Sequence, residues 1–512
     1  MGSYGIFGQR NRKGQGEGVI VGIIVKQSIW NLIISYTGIA LGFVLTILLY
    51  PHILSPDEYG LTRVLFSASF ISTQFAHLGF QNLVIRYFPV FKRAAPENHG
   101  FLFWVLTIPV IGFLIFAGIY FAADSTIIAY YAEQSPLFVD YYLWVLPLTL
   151  FILYFEILNN YLRSLRDSVT GSFAMEIVQR ITTIALLGMY FFDWITFHLF
   201  IVTFVLSYLL NPLIVAIQIA RKGEWKLRPN MKLLRRPLIK GMANYGLFSM
   251  LGGLTTVIVW NVDILMLGSL AGLDQTAIYA IAFYMASVIA IPQRSINKIV
   301  SPMLADFIKN KEWGEVGSIY TKSSLNQLIP GIFIFGLIWI NLDVVYHMMP
   351  DFYAAGKWVV FIVGIGKIIE MITGANGLIL INSKHYRVSF YTNLILIAVT
   401  IGANYVMIPM YGIEGAALAS VLAILIYNAT KYIWVLIKMR LQPFTIKTVI
   451  VTLLGIISLS VTQIFTFFDF YLMEAIFNSI VFTVLFAGPV IYYSISDDLN
   501  NMLKNMVAKW RR

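Results

Sequence analysis

RKGEWKLRPNMKLLRRPLIKG, residues 221–241, is a long basic stretch in a chain that is otherwise mostly apolar. Of the 512 residues 59% are hydrophobic and 12% are charged, whereas soluble domains carry about 25% charged residues. Polar surface on that scale cannot cover a water-soluble globule, so the chain reads as an all-α polytopic membrane protein. The mean hydropathy of +0.77 agrees, and 38 Phe, 29 Tyr and 11 Trp suit a surface that meets lipid and its interfaces. Cysteine is absent, which excludes disulfide and thiol chemistry.

Outward from the basic stretch, apolar runs of about 20 residues recur, the length that lets a helix cross hydrocarbon. About fourteen are expected: 27–50, 61–86, 101–122, 139–162, 172–192 and 195–219 before it, then 242–269, 277–300, 325–346, 357–381, 388–408, 413–437, 446–467 and 473–494 after it. Charge in the connections sets the orientation, because cytoplasmic loops are rich in Lys and Arg. Alternate connections carry Arg10/Arg12/Lys13, Lys92/Arg93, Arg163/Arg166, the 221–241 loop, Lys309/Lys311/Lys322, Lys384/Arg387, Lys438/Arg440 and the C-terminal KWRR. The other set is acidic, with Asp57/Glu58, Asp124/Glu133/Asp140, Asp193, Asp274, Asp343/Asp351, Glu414 and Asp469/Glu474, and Lys357 is its only clear basic member. Both termini are therefore expected in the cytoplasm. The net charge of +11 is a topology signal and not a nucleic-acid footprint.

A weak repeat at an offset of 217 residues places Asn159, Ser172 and Phe173 on Asn376, Ser389 and Phe390. The expected organisation is a cytoplasmic tail (1–26), a six-helix lobe (27–220), the basic linker (221–241), a second six-helix lobe (242–438) and two further helices with a tail (439–512). An even number of spans per half makes the repeat parallel, two lobes related by a pseudo-two-fold axis along the membrane normal. Residues 303–324 read as an interfacial helix on the cytoplasmic side.

Catalytic patterns are missing. GIGKII at 364–369 lacks the upstream glycine and following Ser/Thr of a phosphate-binding loop. Six scattered histidines offer no metal-ligand spacing. Neither an enzyme nor a bound cofactor or metal is expected. What remains are ionisable residues inside the spans, which cost about 2.5–3.5 kcal/mol each on insertion scales. Glu176 and Arg180 lie i,i+4, and Lys367 and Glu370 i,i+3; each couple is either a structural pair or part of a cavity wall. Arg63 stands on the outer side, against the positive-inside bias, with Asp263 its expected partner. Arg294 and Lys298 share a face just after Pro292, whose ring should kink the helix. Arg86, Arg163, Arg166 and Lys431 lie near cytoplasmic ends, where snorkelling accounts for them. Cationic side chains along an apolar path suit an anionic cargo, with Arg gripping phosphate bidentately and Lys acting as a point charge.

Several stretches resemble the Wzx-type polysaccharide (O-antigen) flippases of the multidrug/oligosaccharidyl-lipid/polysaccharide (MOP) exporter superfamily. They are LSPDEYGL after the first span, IPQRSINKIVSPMLADF at 291–307, GANGLILINSKHYR at 374–387 and NYVMIPMYGIEGAALAS at 404–420. The resemblance implies a bacterial inner-membrane protein that moves polyprenyl-pyrophosphate-linked oligosaccharide from the inner to the outer leaflet by alternating access. It also implies work beside glycosyltransferases and a polymerase in lipopolysaccharide assembly. On that reading Arg63, Arg180, Arg294, Lys298 and Lys367 are the cationic contacts, and Glu176, Asp263 and Glu370 are ion-pair partners or carriers of coupling H+ or Na+. Two rivals stay open: a cation-coupled multidrug antiporter of the same superfamily, and a flippase for peptidoglycan-precursor lipid.

Overall fold

The computed structural model describes residues 26–93, 100–228, 236–464, 470–501 and 504. The N-terminal tail, residues 229–235 of the basic loop and the C-terminal KWRR lie outside the described residues. Helices account for almost all of what is described, and no strand occurs among the described residues. Nine of these helices are long and apolar enough, by length and composition, to cross a membrane. Other expected spans are helical but shorter or more polar, such as Pro56–Ala76, Gln179–Phe191 and Ile446–Thr462. Large side chains stand exposed along these helices, Ile446, Ile456, Ile457 and Val484 among them. That much open apolar surface marks a lipid-facing protein.

Contacts group the chain into two compact units. The first comprises Met1–Ile53, Ala68–Ile128 and Asp140–Leu254; the second comprises Leu54–Ser67, Ala129–Val139 and Thr255–Arg512. In the first, Phe91 stacks on Phe101 at 4.3 Å and Phe88 meets Tyr161 edge-on at 5.4 Å, within a core that joins the 80–93, 101–122 and 145–164 helices. The stretch expected as one span at 61–86 is two helices, Pro56–Ala76 and Phe80–Arg93. Leu78 and Gly79 both take positive φ between them, and the Gly79 N–H donates to His77 Nδ1 at 2.9 Å. A side chain at 79 would collide with the Gly246 carbonyl, so only glycine fits that turn.

In the second unit the last two helices, Ile446–Thr462 and Tyr471–Tyr492, pack on Trp313–Ile340. Phe333, Phe482 and Phe486 form a ladder of stacked rings there, with centroids 5.8–6.2 Å apart. Residues 303–324 do not form the separate surface helix expected from sequence. The first part ends Ile291–Asn310 and the second begins Trp313–Ile340, with left-handed Lys311 between them. Leu304, Val316 and Tyr320 are fully buried against Ile379, Leu380 and Val435, so the apolar face that suggested a bilayer surface covers protein instead. The helix after residue 272 is interrupted by a 3-10 turn, Val288–Ala290, and restarts with Pro292 in its first turn, where a missing N–H is harmless.

Candidate functional site: buried charges of the second unit

Asp263 is 2% exposed on the Arg236–Leu270 helix. Its Oδ1 accepts from Asn404 Nδ2 at 2.6 Å, and its Oδ2 accepts from Tyr279 Oη at 2.7 Å and from Ser420 Oγ. Three neutral donors thus converge on one carboxylate, a charge-assisted arrangement that offsets part of the cost of burying it. Tyr279 comes from the 273–287 helix, and Asn404 and Ser420 from the two arms of Tyr386–Met439. Those arms are separate because Gly412 breaks the helix at φ 57°, ψ −130°, after Pro409. A Cβ at Gly415 would lie 2.0 Å from the Met407 carbonyl, so the second arm turns tightly against the first. Asp263 therefore draws its hydrogen bonds from these three groups and not from Arg63, the partner expected from sequence. Arg63, inside Pro56–Ala76, sets its guanidinium 4.9 Å from the Tyr59 ring centre.

Lys367 and Lys431 form a second buried group. Lys367 is 5% exposed, with Nζ 3.8 Å from Glu370 Oε2 and 5.8 Å from the Phe283 ring. Lys431 is 4% exposed and lies over the Tyr427 ring. Both lysines feel the charge of Glu370, and Lys367 also feels Asp263 and Arg294. Glu370 thus pairs with Lys367 and lies in electrostatic reach of Lys431. Snorkelling does not describe Lys431: its side chain is enclosed, and its amine sits close to Gly377. The signal was present in the sequence, since Ser420, Asn428 and Lys431 recur at helical spacing on one buried face. Asn376 finds its partner in Asn428, whose Oδ1 also accepts from Thr373.

Arg294 and Lys298 stand one helical turn apart and are solvent-accessible, while neighbouring Gln293 is buried. Gln327 donates to Asn297 at 2.9 Å and fixes this helix to Trp313–Ile340. In the first unit, Glu176, on a π-helical turn Ala174–Val178, pairs at 2.6 Å with Arg180 at the start of Gln179–Phe191, and Arg180 also donates to the Gly38 carbonyl. A Cβ at Gly38 would lie 2.6 Å from the Glu176 carboxylate, so this glycine lets the pair approach the backbone. The structure therefore pairs Lys367 with Glu370, surrounds Asp263 with Tyr279, Asn404 and Ser420, adds Lys431 as a further buried cation, leaves Arg294 and Lys298 exposed, and pairs Glu176 with Arg180.

The sequence model of a family described as polysaccharide biosynthesis protein matches residues 51–324, more than half of the chain. Among solved structures, the chain is similar to a lipid II flippase, MurJ, in an inward closed conformation: TM-score 0.69, 15% identity, covering 92% of this chain and 99% of that one. It is similar to an inward-facing MATE multidrug-resistance transporter of the MOP superfamily at TM-score 0.59 and 15% identity, covering 81% and 94% of the two chains. An outward-facing transporter of that kind gives TM-score 0.53 at 14% identity, covering 82% and 95%. No curated protein matches the chain in sequence.

Proposed function

The chain belongs to the polysaccharide biosynthesis protein family, and from that premise we propose that it is a lipid-linked oligosaccharide flippase. Its cargo is a polyprenyl-pyrophosphate-linked repeat unit, moved by alternating access from the cytoplasmic to the outer leaflet of a bacterial inner membrane. The observation that carries the reading is two buried lysines, Lys367 and Lys431, with half-buried Glu370 paired to Lys367. Apolar surroundings penalise such charges, so a scaffold or a passage for neutral solutes has no use for them. An anionic head group does.

Arg294 and Lys298 are accessible and share a face, so they make the first contact with pyrophosphate. Lys367 and Lys431 hold the charge further in, with Glu370 as the anion that the head group displaces. Asp263 is the coupling carboxylate: its three donors are neutral, so gaining a proton or a small cation changes the charge of the site without removing a built-in counter-ion. Arg63, Arg180 and Glu176 remain candidates for the rest of the path. The positive-inside pattern supports cytoplasmic termini.

Peptidoglycan-precursor flipping is the second reading, favoured by the full-length fold match to a lipid II flippase. The test is the leaflet distribution of lipid-linked oligosaccharide in cells with and without the protein. Trapping of the oligosaccharide in the inner leaflet on deletion supports the proposal. Trapping of the peptidoglycan precursor alone supports the second reading, and an unchanged distribution of both leaves the antiporter as the account.

A further inference from the structure

Away from the buried charges, the second unit contains a cavity of about 540 Å³. The end of Trp313–Ile340, the start of Lys357–Ile372 and the last two helices supply its walls. Its size falls in the roughly 300–1,000 Å³ range of small-ligand sites. Four rings line it as two pairs. Trp339 and Trp358 lie 5.8 Å apart at 46°, and His347 stacks on Tyr471 at 5.7 Å and 16°.

Polar groups stand among the rings. Lys357 Nζ is 2.5 Å from Asp343 Oδ1, so the one clear basic residue of the acidic connections is committed to this wall. Asn478 Nδ2 donates to Glu474 Oε1 at 3.0 Å, while Asn478 Oδ1 is buried with no hydrogen-bond partner among the described residues.

This combination selects a chemistry. An acyl chain would fill the cavity only by stripping water from Lys357, Asp343, Glu474 and Asn478, a cost no hydrocarbon repays. Phosphate would face two carboxylates against one amine. A sugar matches both halves of the lining: its C–H faces pack on aromatic rings, and its hydroxyls both donate to carboxylates and accept from amide and amine. We propose that this cavity is a carbohydrate-binding site for the glycan part of the cargo. The proposal rests on the oligosaccharide-flippase reading. The acidic connections Asp343/Asp351 and Glu474 put the cavity on the expected outer side, where a sugar arrives after crossing.

The test uses full-length protein in nanodiscs. The probe is the oligosaccharide released by mild acid from the lipid-linked pool of the host cell, with binding read by saturation-transfer NMR and calorimetry. Saturable transfer to ring C–H protons is expected for wild type. Trp358→Ala, a change at a half-exposed side chain, should weaken binding at least about tenfold, the loss of one good ring contact. Gly402→Ala, at an exposed helical position outside the cavity wall, should bind the free sugar as wild type does. Absence of transfer in wild type, or equal binding by Trp358→Ala, overturns the proposal. So does saturable binding of tetraphenylphosphonium, an organic cation, without sugar binding. Deletion cells scored in parallel separate the two readings: trapped lipid-linked oligosaccharide with no binding to the cavity removes the site and leaves the flippase.

Discussion

The Lys431 ammonium lies 3.6 Å from the centre of the Tyr427 ring, one turn earlier on the same helix, and the lysine is buried. A buried cation held against a ring contributes little to stability, because apolar replacement of buried charges is often neutral or stabilising. Lys431→Met should therefore leave the unfolding temperature unchanged or raised while cutting flipping at least tenfold. Thermal unfolding in detergent beside a transport assay checks both halves. Lost stability with normal flipping would make Lys431 a structural residue.

Asp263 is predicted to carry the coupling. Asparagine is nearly isosteric, yet it offers one acceptor oxygen where Tyr279, Asn404 and Ser420 need two. Asp263→Asn should fold, bind cargo and lose its response to an imposed H+ or Na+ gradient. Gradient-driven transport in proteoliposomes reads this directly, and a variant that still follows either gradient sends the coupling role elsewhere.

Backbone strain makes a third prediction. Gly412 sits at φ 57°, ψ −130°, a conformation closed to residues with a side chain at a cost of about 1–3 kcal/mol. Gly412→Ala should destabilise by that amount and disturb the Asn404–Asp263–Ser420 junction, so gradient coupling should fall along with the unfolding temperature. Gly402→Ala, at an exposed helical position with open space around its Cβ, serves as the control.

A fourth concerns pH. Asp167, in the turn before Val169–Phe173, contacts Lys222 at 3.3 Å and accepts from Gln218 at 3.0 Å. Burial alone would raise its carboxyl; the Gln218 and Thr170 hydrogen bonds and the Lys222 charge outweigh that and hold it below its ordinary value. The folded state therefore binds this proton less readily than the unfolded state. Its contribution is present above the unfolded value near ~3.9 and is lost as pH falls through the folded one. Asp167→Asn should cost about 1 kcal/mol near neutrality and flatten the decline in unfolding temperature between about pH 5 and 3.

Hydropathy made the helical scaffold legible, because a span advertises itself over about 20 residues. Single-residue geometry did not. Left-handed Lys311 and the His77–Gly79 turn redirect the chain through one or two torsions, and no periodicity records that. Candidate charges could be named because ions inside apolar runs are conspicuous. Their partners could not: Asn404 and Ser420 lie 141 and 157 residues from Asp263, and nothing local to Asp263 announces them. Lys431 was visible but misleading, since proximity to a predicted helix end suggested snorkelling while its polar neighbours at helical spacing pointed inward.

The most direct measurement of the central claim uses the purified chain as the sole protein in liposomes carrying polyprenyl-pyrophosphate-linked oligosaccharide in one leaflet. The fraction of head groups reached by a membrane-impermeant oxidant is followed over time. Transfer should exceed that of protein-free vesicles and should collapse with Arg294→Glu, Lys298→Glu. Wild-type protein that moves head groups no faster than bare lipid, across either imposed gradient, would contradict the flippase account.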